Sequence, residues 1–294
     1  MLIRPMYSLM LATLAACGGR SGLSAPASCD SPDCRADGAS TSCDPSRPFG
    51  DPVPLEGVSS ACFASLSPDE LTIYHSDGRY GVKVSTRPTR DAPFGAPLPI
   101  RALASMTVLG LSVSSDERTL YFAAGEKPCG PVDDCFRLYW TTRAAVTDEF
   151  TTPSRAPVVG DLEVREAGMG PRDVFLTADG RSLYFAWNDT DLYTHIWRSH
   201  RVAGTWSSPQ RVNDLVGTSG GEASPVLSSD NLSIYFVSGG DVAVASRPSM
   251  ADTFGPRTKV PTLNKHAPHW ISRDGCRLYV DDYPPCRFSV ATRR

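Results

Sequence analysis

Ser67-Pro68-Asp69-Glu70-Leu71-Thr72-Ile73-Tyr74 decides the fold, because its core recurs four more times. The other copies are Ser114-Ser115-Asp116, Thr177-Ala178-Asp179, Ser228-Ser229-Asp230 and Ser272-Arg273-Asp274. Each has a Tyr five residues after the Asp: Tyr121, Tyr184, Tyr235 and Tyr279. The Asp-to-Asp steps are 47, 63, 51 and 44 residues. A period of this size marks a radial or stacked architecture.

The unit extends on both sides of that core. Three residues before each Asp stands an apolar residue: Leu66, Val113, Leu176, Leu227 or Ile271. After each Asp comes a turn residue, then a second apolar run ending in the Tyr. Asp-Gly and Asp-Asn between β-rich runs signal hairpins, since these residues tolerate the positive φ that tight turns need. A third strand ends in a basic or imidazole residue: Arg87, Arg143, His200, Arg247 or Arg293. Six or seven residues later comes an aromatic (Phe94, Phe150, Trp206, Phe254), and a Pro follows it. Four strands per unit make one propeller blade. The fifth unit reaches Arg294 without a fourth strand, while Pro48-Phe49-Gly50-Asp51-Pro52-Val53-Pro54-Leu55 closely matches Pro93–Ile100, the fourth strand of unit one. Residues 48–55 are therefore expected to cross over and complete the last blade. The expected fold is an all-β propeller of five four-stranded blades, with a sixth hidden between Asp116 and Asp179 as the alternative.

The Ser-Pro-Asp-x-x-x-(Leu/Ile)-Tyr core resembles the TolB-type propeller repeat of bacterial periplasmic proteins, a cousin of the WD repeat. The resemblance covers residues 48–294 and is tightest at Ser67-Pro68-Asp69. Elsewhere Ser, Ala or Arg replaces the Pro. It implies a protein of the bacterial cell envelope.

The N-terminus points the same way. Arg4 precedes the apolar stretch Tyr7–Ala16, which is too short to span a bilayer and reads as a secretory signal over residues 1–16. Leu14-Ala15-Ala16-Cys17 resembles the lipobox of bacterial lipoproteins, which implies cleavage before Cys17 and its acylation. Several acyl chains anchor stably where one holds only marginally. No Asp follows Cys17, so by that resemblance the protein sorts to the outer membrane, facing the periplasm or the surface. Residues 18–47 are rich in Ser, Ala, Gly, Asp and Pro and read as a flexible tether. The remainder, 48–294, suits one domain.

Setting Cys17 aside, eight cysteines remain, an even number that fits an exported protein with disulfides. Cys129 and Cys135 flank an insertion in unit two and are expected to pair. Cys276 and Cys286 begin consecutive strands of unit five and are expected to pair as well. Cys29, Cys34, Cys43 and Cys62 leave three pairings open. A net charge of −3 without a basic block argues against nucleic acid as a partner. No cofactor is expected, and a monomer is.

Possible chemistry is sparse. Gly217-Thr218-Ser219-Gly220-Gly221 matches nucleophile-elbow spacing, but a strand follows it where that motif needs a helix. His266 and His269, three apart on a strand, face opposite sides and suit no metal. Asn188-Asp189-Thr190-Asp191 lacks the pattern of a calcium loop. The spacing of Asp69, Asp116, Asp179, Asp230 and Asp274 assigns them to the hairpins, each capping its own turn. Function is sought where the repeat breaks. The positions five to eight residues before each Asp vary most, and contribute Arg172, Asp173, Glu222, His266 and His269, with Trp270 adjacent. These six form the expected binding rim. Two functions follow: a non-enzymatic, lipid-anchored platform for a protein or cell-wall partner, or a glycan-active propeller. The latter needs convergent carboxylates, for which Asp173 and Glu222 are the candidates.

Overall fold

The computed structural model describes residues 43–58, 60–79, 81–125, 136–158, 170–188, 193–217, 220–282 and 286–294. These residues fold as a five-bladed β-propeller. Blade one is β2 (Phe63–Leu66), β3 (Thr72–Ser76), β4 (Lys83–Thr86) and β5 (Leu98–Pro99). Blade two is β6 (Thr107–Val113), β7 (Thr119–Gly125), β8 (Phe136–Thr142) and β9 (Ser154–Arg155). Blade three is β10 (Arg172–Leu176), β11 (Ser182–Asn188) and β12 (Thr194–Val202), with the short β13 (Thr205–Trp206) and β14 (Gln210–Arg211) both on β12. Blade four is β15 (Glu222–Leu227), β16 (Ser233–Ser238), β17 (Asp241–Ser246) and β18 (Thr258–Asn264). Blade five is β19 (His266–Ile271), β20 (Arg277–Asp282) and β21 (Arg287–Thr292), completed by β1 (Val53–Pro54) from the other end of the domain.

That closure follows the expectation for residues 48–55. Val53 pairs with Val290 and Pro54 with Ser289. Phe49 sits under the Arg293 guanidinium at 4.1 Å, as Phe94, Phe150 and Phe254 each sit 4.5 Å from Arg87, Arg143 and Arg247. These stacks join a cation to an aromatic face at the outer edge of each blade. Blade three departs from the pattern and corrects the expected alignment. The residue whose amide bonds the carbonyl two after the repeat Asp is Arg87, Arg143, Arg247 and Arg293 in four blades, and Arg201 in blade three. His200 is therefore one position early. The cause is a tight hairpin, with Ala203 and Gly204 both at positive φ, that joins Val202 to Thr205.

Each repeat turn is built alike. The Asp Oδ1 accepts the hydroxyl of the Ser or Thr two residues earlier at 2.5–2.6 Å and the amide two residues later at 2.9–3.1 Å. That hydroxyl oxygen in turn accepts the amide opening the next strand, at 2.8–2.9 Å. The residue after the Asp takes positive φ in every blade: Glu70, Glu117, Gly180, Asn231 and Gly275. The side chain thus replaces backbone partners that a two-strand corner cannot supply.

The repeat Tyr lies between blades. Tyr74 donates to Glu117 at 2.8 Å and accepts from Arg143, and Tyr279 donates to Glu70 at 2.7 Å and accepts from Arg87 at 3.2 Å. Glu70 also receives two bonds of 2.6 Å from Arg277. Burial raises both tyrosines far above their usual range, so they stay protonated donors.

The disulfides differ from expectation. Cys276 pairs with Cys43 and Cys286 with Cys62. Cys276 and Cys286 each begin a strand of one antiparallel hairpin, in which Arg277 opposes Thr292 and Asp282 opposes Arg287. Strand beginnings in a hairpin lie at opposite ends, here about 20 Å apart, beyond the reach of a disulfide. Cys62–Cys286 staples blade one to blade five. Cys43–Cys276 ties the chain just before the crossover to blade five, so the folded body begins five residues before the expected boundary at 48. Cys129 and Cys135 lie outside the described residues, as do Cys17, Cys29 and Cys34. Both disulfides fit an oxidising compartment outside the cytoplasm.

Candidate functional site

The propeller axis has two unlike ends. At the end carrying the repeat turns, a cavity of about 570 Å³ opens to solvent. Residues of all five blades line it, which places it on the axis. Its wall is the apolar residue three before each Asp: Leu66, Val113, Leu176, Leu227 and Ile271, joined by Phe175 and Trp270. Its mouth is the residue just before each Asp, Pro68, Ser115, Ala178, Ser229 and Arg273, with Asp179 and Asp230 beside them. Ser115 donates across to the Ala178 carbonyl at 2.7 Å and Ser229 to the Arg273 carbonyl at 2.8 Å, so the mouth is stitched blade to blade. Its volume lies within the range of ligand pockets.

Farther along the inner strands, the described residues narrow the axis. Gly110, Leu111, Asp173, Val174, Ser224, Pro225, Pro268 and His269 surround a space of about 10 Å³, room for no more than a water. The inner strands of blades two to five slip register here, and Gly110, Asp173 and Ser224 take positive φ. A bulge turns each inner strand inward, which brings side chains across the axis. Gly110 permits this approach, since a Cβ there would lie 2.4 Å from the Asp173 amide nitrogen.

The six expected rim residues divide accordingly. Asp173 and His269 meet at the constriction. Asp173 accepts the Ser224 amide at 3.3 Å, and burial pushes its carboxyl upward while Arg172 and His269 pull it back. His269 Nε2 stands 3.1 Å from Asp281 Oδ1 without hydrogen-bond geometry. Arg172 donates to Thr194 at 2.6 Å, and His266 Nε2 lies 2.6 Å from Asp282 Oδ1. Trp270, one residue on, lines the wide cavity instead.

Glu222 belongs to no rim. Its side chain is 1% exposed, faces His195 Nδ1 at 2.8 Å and accepts the Gly217 amide at 2.8 Å, with Arg257 3.6 Å away. It fastens the loop entering blade four, and Asp173 reaches the axial constriction without it. The expected carboxylate pair is not assembled at a roomy mouth. The five repeat Asp residues sit in the turns described above. Asn188 accepts a bond from Thr194 at 2.8 Å, while Asp189 to Asp191 lie outside the described residues. Among the described residues no group of His, Cys, Asp and Glu is arranged to hold a metal.

The mouth ring was missed as a site, although its signal was present. The position before the repeat Asp is the one where Pro gives way to Ser, Ala, Ser and Arg. Phe175 carried no signal, because an aromatic in a strand reads as core.

A scan against protein-family models finds no match, and neither does a comparison with curated proteins. Solved structures of similar fold include a thermostable family-43 glycoside hydrolase, 12% identical with a TM-score of 0.53, covering 82% of this chain and 91% of that one. A proposed exo-β-1,3-galactanase from Bifidobacterium bifidum is 14% identical with a TM-score of 0.51, covering 84% and 92%. TolB from Acinetobacter baumannii is 16% identical with a TM-score of 0.48, and the match covers 80% of this chain and 55% of the TolB chain. At these identities the likeness is one of fold, which this chain shares with the first two of these structures.

Proposed function

We propose that this chain is a non-enzymatic binding protein of the bacterial cell envelope, anchored through a lipidated Cys17 and holding a protein or cell-wall partner at the turn-bearing end of its propeller axis. One observation supports the site above all: the turn-bearing end of the axis has a roomy apolar wall, while the described residues around Asp173 and His269 leave only about 10 Å³. A partner that inserts an apolar group between Phe175 and Trp270 would bury it there, and the polar mouth would set its orientation. The lipobox and tether support the anchor, and the disulfides support an extracytoplasmic location. The two carboxylates at the mouth, Asp179 and Asp230, already hold hydroxyl and amide protons on Oδ1.

The test uses the full chain expressed with its own leader. Cys17→Ser should move the protein from the membrane fraction to the soluble fraction without changing its thermal transition. Trp270→Ala should weaken capture of envelope proteins or of purified cell-wall sacculi by roughly tenfold or more. A Cys17→Ser protein that stays with the membrane removes the anchor. Glycan hydrolysis that Asp179→Asn or Asp230→Asn abolishes would replace the platform with the glycan-active alternative.

A further inference from the structure

Blade three breaks the repeat at one more place, on the flank of the ring. In each blade the third strand pairs with the fourth through one equivalent contact. The partners are Val84 with Leu98, Trp140 with Ser154, Arg198 with Gln210, Val244 with Thr258, and Val290 with Val53. Four blades place an apolar side chain on the third strand at this position, and blade three places a guanidinium.

The substitution coincides with a cavity. A groove of about 240 Å³ runs between blades three and four, lined by three cations, Arg198, Arg211 and Arg247, and two carboxylates, Asp214 and Asp252. Apart from Asp214, the other charged groups bond elsewhere. Arg247 donates to the Asn231 carbonyl at 2.8 Å and 3.1 Å and stacks on Phe254, and Arg211 donates to Asn213 at 2.9 Å. Asp252 accepts the Ser249 hydroxyl at 2.7 Å. Arg198 is half-buried and makes no hydrogen bond or ion pair among the described residues. A guanidinium is planar, always charged and built to bond two oxygens of one anion. Leaving it half out of water without a partner costs free energy that an apolar residue would not. Nearby His200 is disfavoured as a cation by burial first, and then by Arg198 and Arg247. The positive field therefore reaches beyond the groove's own residues.

We propose that this groove is an oxyanion site of the phosphate or sulfate class, with Arg198 as the recognising residue and Arg211 and Arg247 supplying the surrounding positive charge. The anion could arrive free or as the headgroup of an anionic lipid, and both present the same oxygens. The site is independent of the axial cavity and of what that cavity holds.

The chain supplies its own control, since Arg198→Val installs the residue that blades one, four and five carry. The full chain is titrated calorimetrically with inorganic phosphate against chloride at constant ionic strength. Its co-sedimentation with phosphatidylcholine vesicles, with and without phosphatidylglycerol, is measured in parallel. Wild type should bind phosphate saturably. Arg198→Val should weaken binding by roughly tenfold or more, and should keep or raise the thermal midpoint in the absence of phosphate. Arg198→Lys should fall between them, because it keeps the charge and loses the fork. Vesicle binding that needs both phosphatidylglycerol and Arg198 identifies the headgroup as the source. Phosphate binding with no such dependence identifies the free anion. Absence of saturable phosphate binding, or equal binding by wild type and Arg198→Val, overturns the proposal.

Discussion

The two faces of the ring are made from the same strands and obey different rules. On the turn-bearing face, five corners repeat one hydrogen-bond scheme, and the cavity they enclose is wide. Toward the other face, the inner strands of blades two to five bulge at the same place, Asp173 lines a narrow section of the axis and Glu222 is buried against His195 and Gly217. Corners made by one local motif hold their shape independently of their neighbours, so they can frame an opening. Among the described residues, the regular corners frame the wide section of the axis and the bulges line its narrow one.

Two buried carboxylates, one per face, give the largest contrast. Glu70→Gly keeps the turn, since blades three and five carry Gly at that corner, but leaves Arg277 without its two bonds. Breaking one side of a buried pair costs roughly 3–5 kcal/mol, read as a lowered midpoint in chemical denaturation. Glu222→Ala removes the acceptor of the Gly217 amide, a partner of His195 and the 3.6 Å contact of the part-exposed Arg257, and should cost about 1–3 kcal/mol. If Glu222→Ala proves the more damaging, the irregular face is the better braced one and the comparison inverts.

A pH titration sharpens the contrast next. His75, buried in β3 at the irregular face, is held down to about 4, chiefly by burial and secondarily by Lys83. Its unfolded value is higher, so the unfolded chain binds the extra proton first. Stability is full above about pH 6.5 and falls as pH drops toward 4, by about 3 kcal/mol. Denaturation midpoints of wild type and His75→Gln across this window should diverge at high pH and converge near pH 4. Parallel curves would remove His75 from the account. His200 shifts the same way, so the difference between the two curves is the reading that matters.

The smallest effect is expected at the mouth. Arg273 borders the wide cavity and anchors nothing by its side chain among the described bonds, so Arg273→Ala should change stability by less than about 0.5 kcal/mol. Partner capture should still fall, since this is the single formal cation in the lining of that cavity. A large stability loss would show that the open face too depends on contacts across the axis.

The amino-acid sequence by itself determined the architecture. The repeat from Ser67 to Tyr74 encodes a turn, an apolar collar position and an interblade Tyr within eight residues, and local chemistry of that kind is legible without neighbours. The orphan stretch at residues 48–55 announced the closure, because a strand lacking a fourth partner and a spare fourth strand can only be completed together. Tertiary structure alone decided the pairings and the site. Cys276 and Cys286 look adjacent along the chain, and antiparallel pairing sends them to opposite ends of a hairpin. Glu222 and Asp173 look like neighbours on a rim, and a bulge aims one at the axis while a buried bond to Gly217 holds the other away. His269 and Trp270 adjoin in sequence, yet one lines the narrow section of the channel and the other the wide one. Direction of a side chain depends on the pleat, the bulge and the blade beside it, and these are set by contacts between residues tens to hundreds of positions apart.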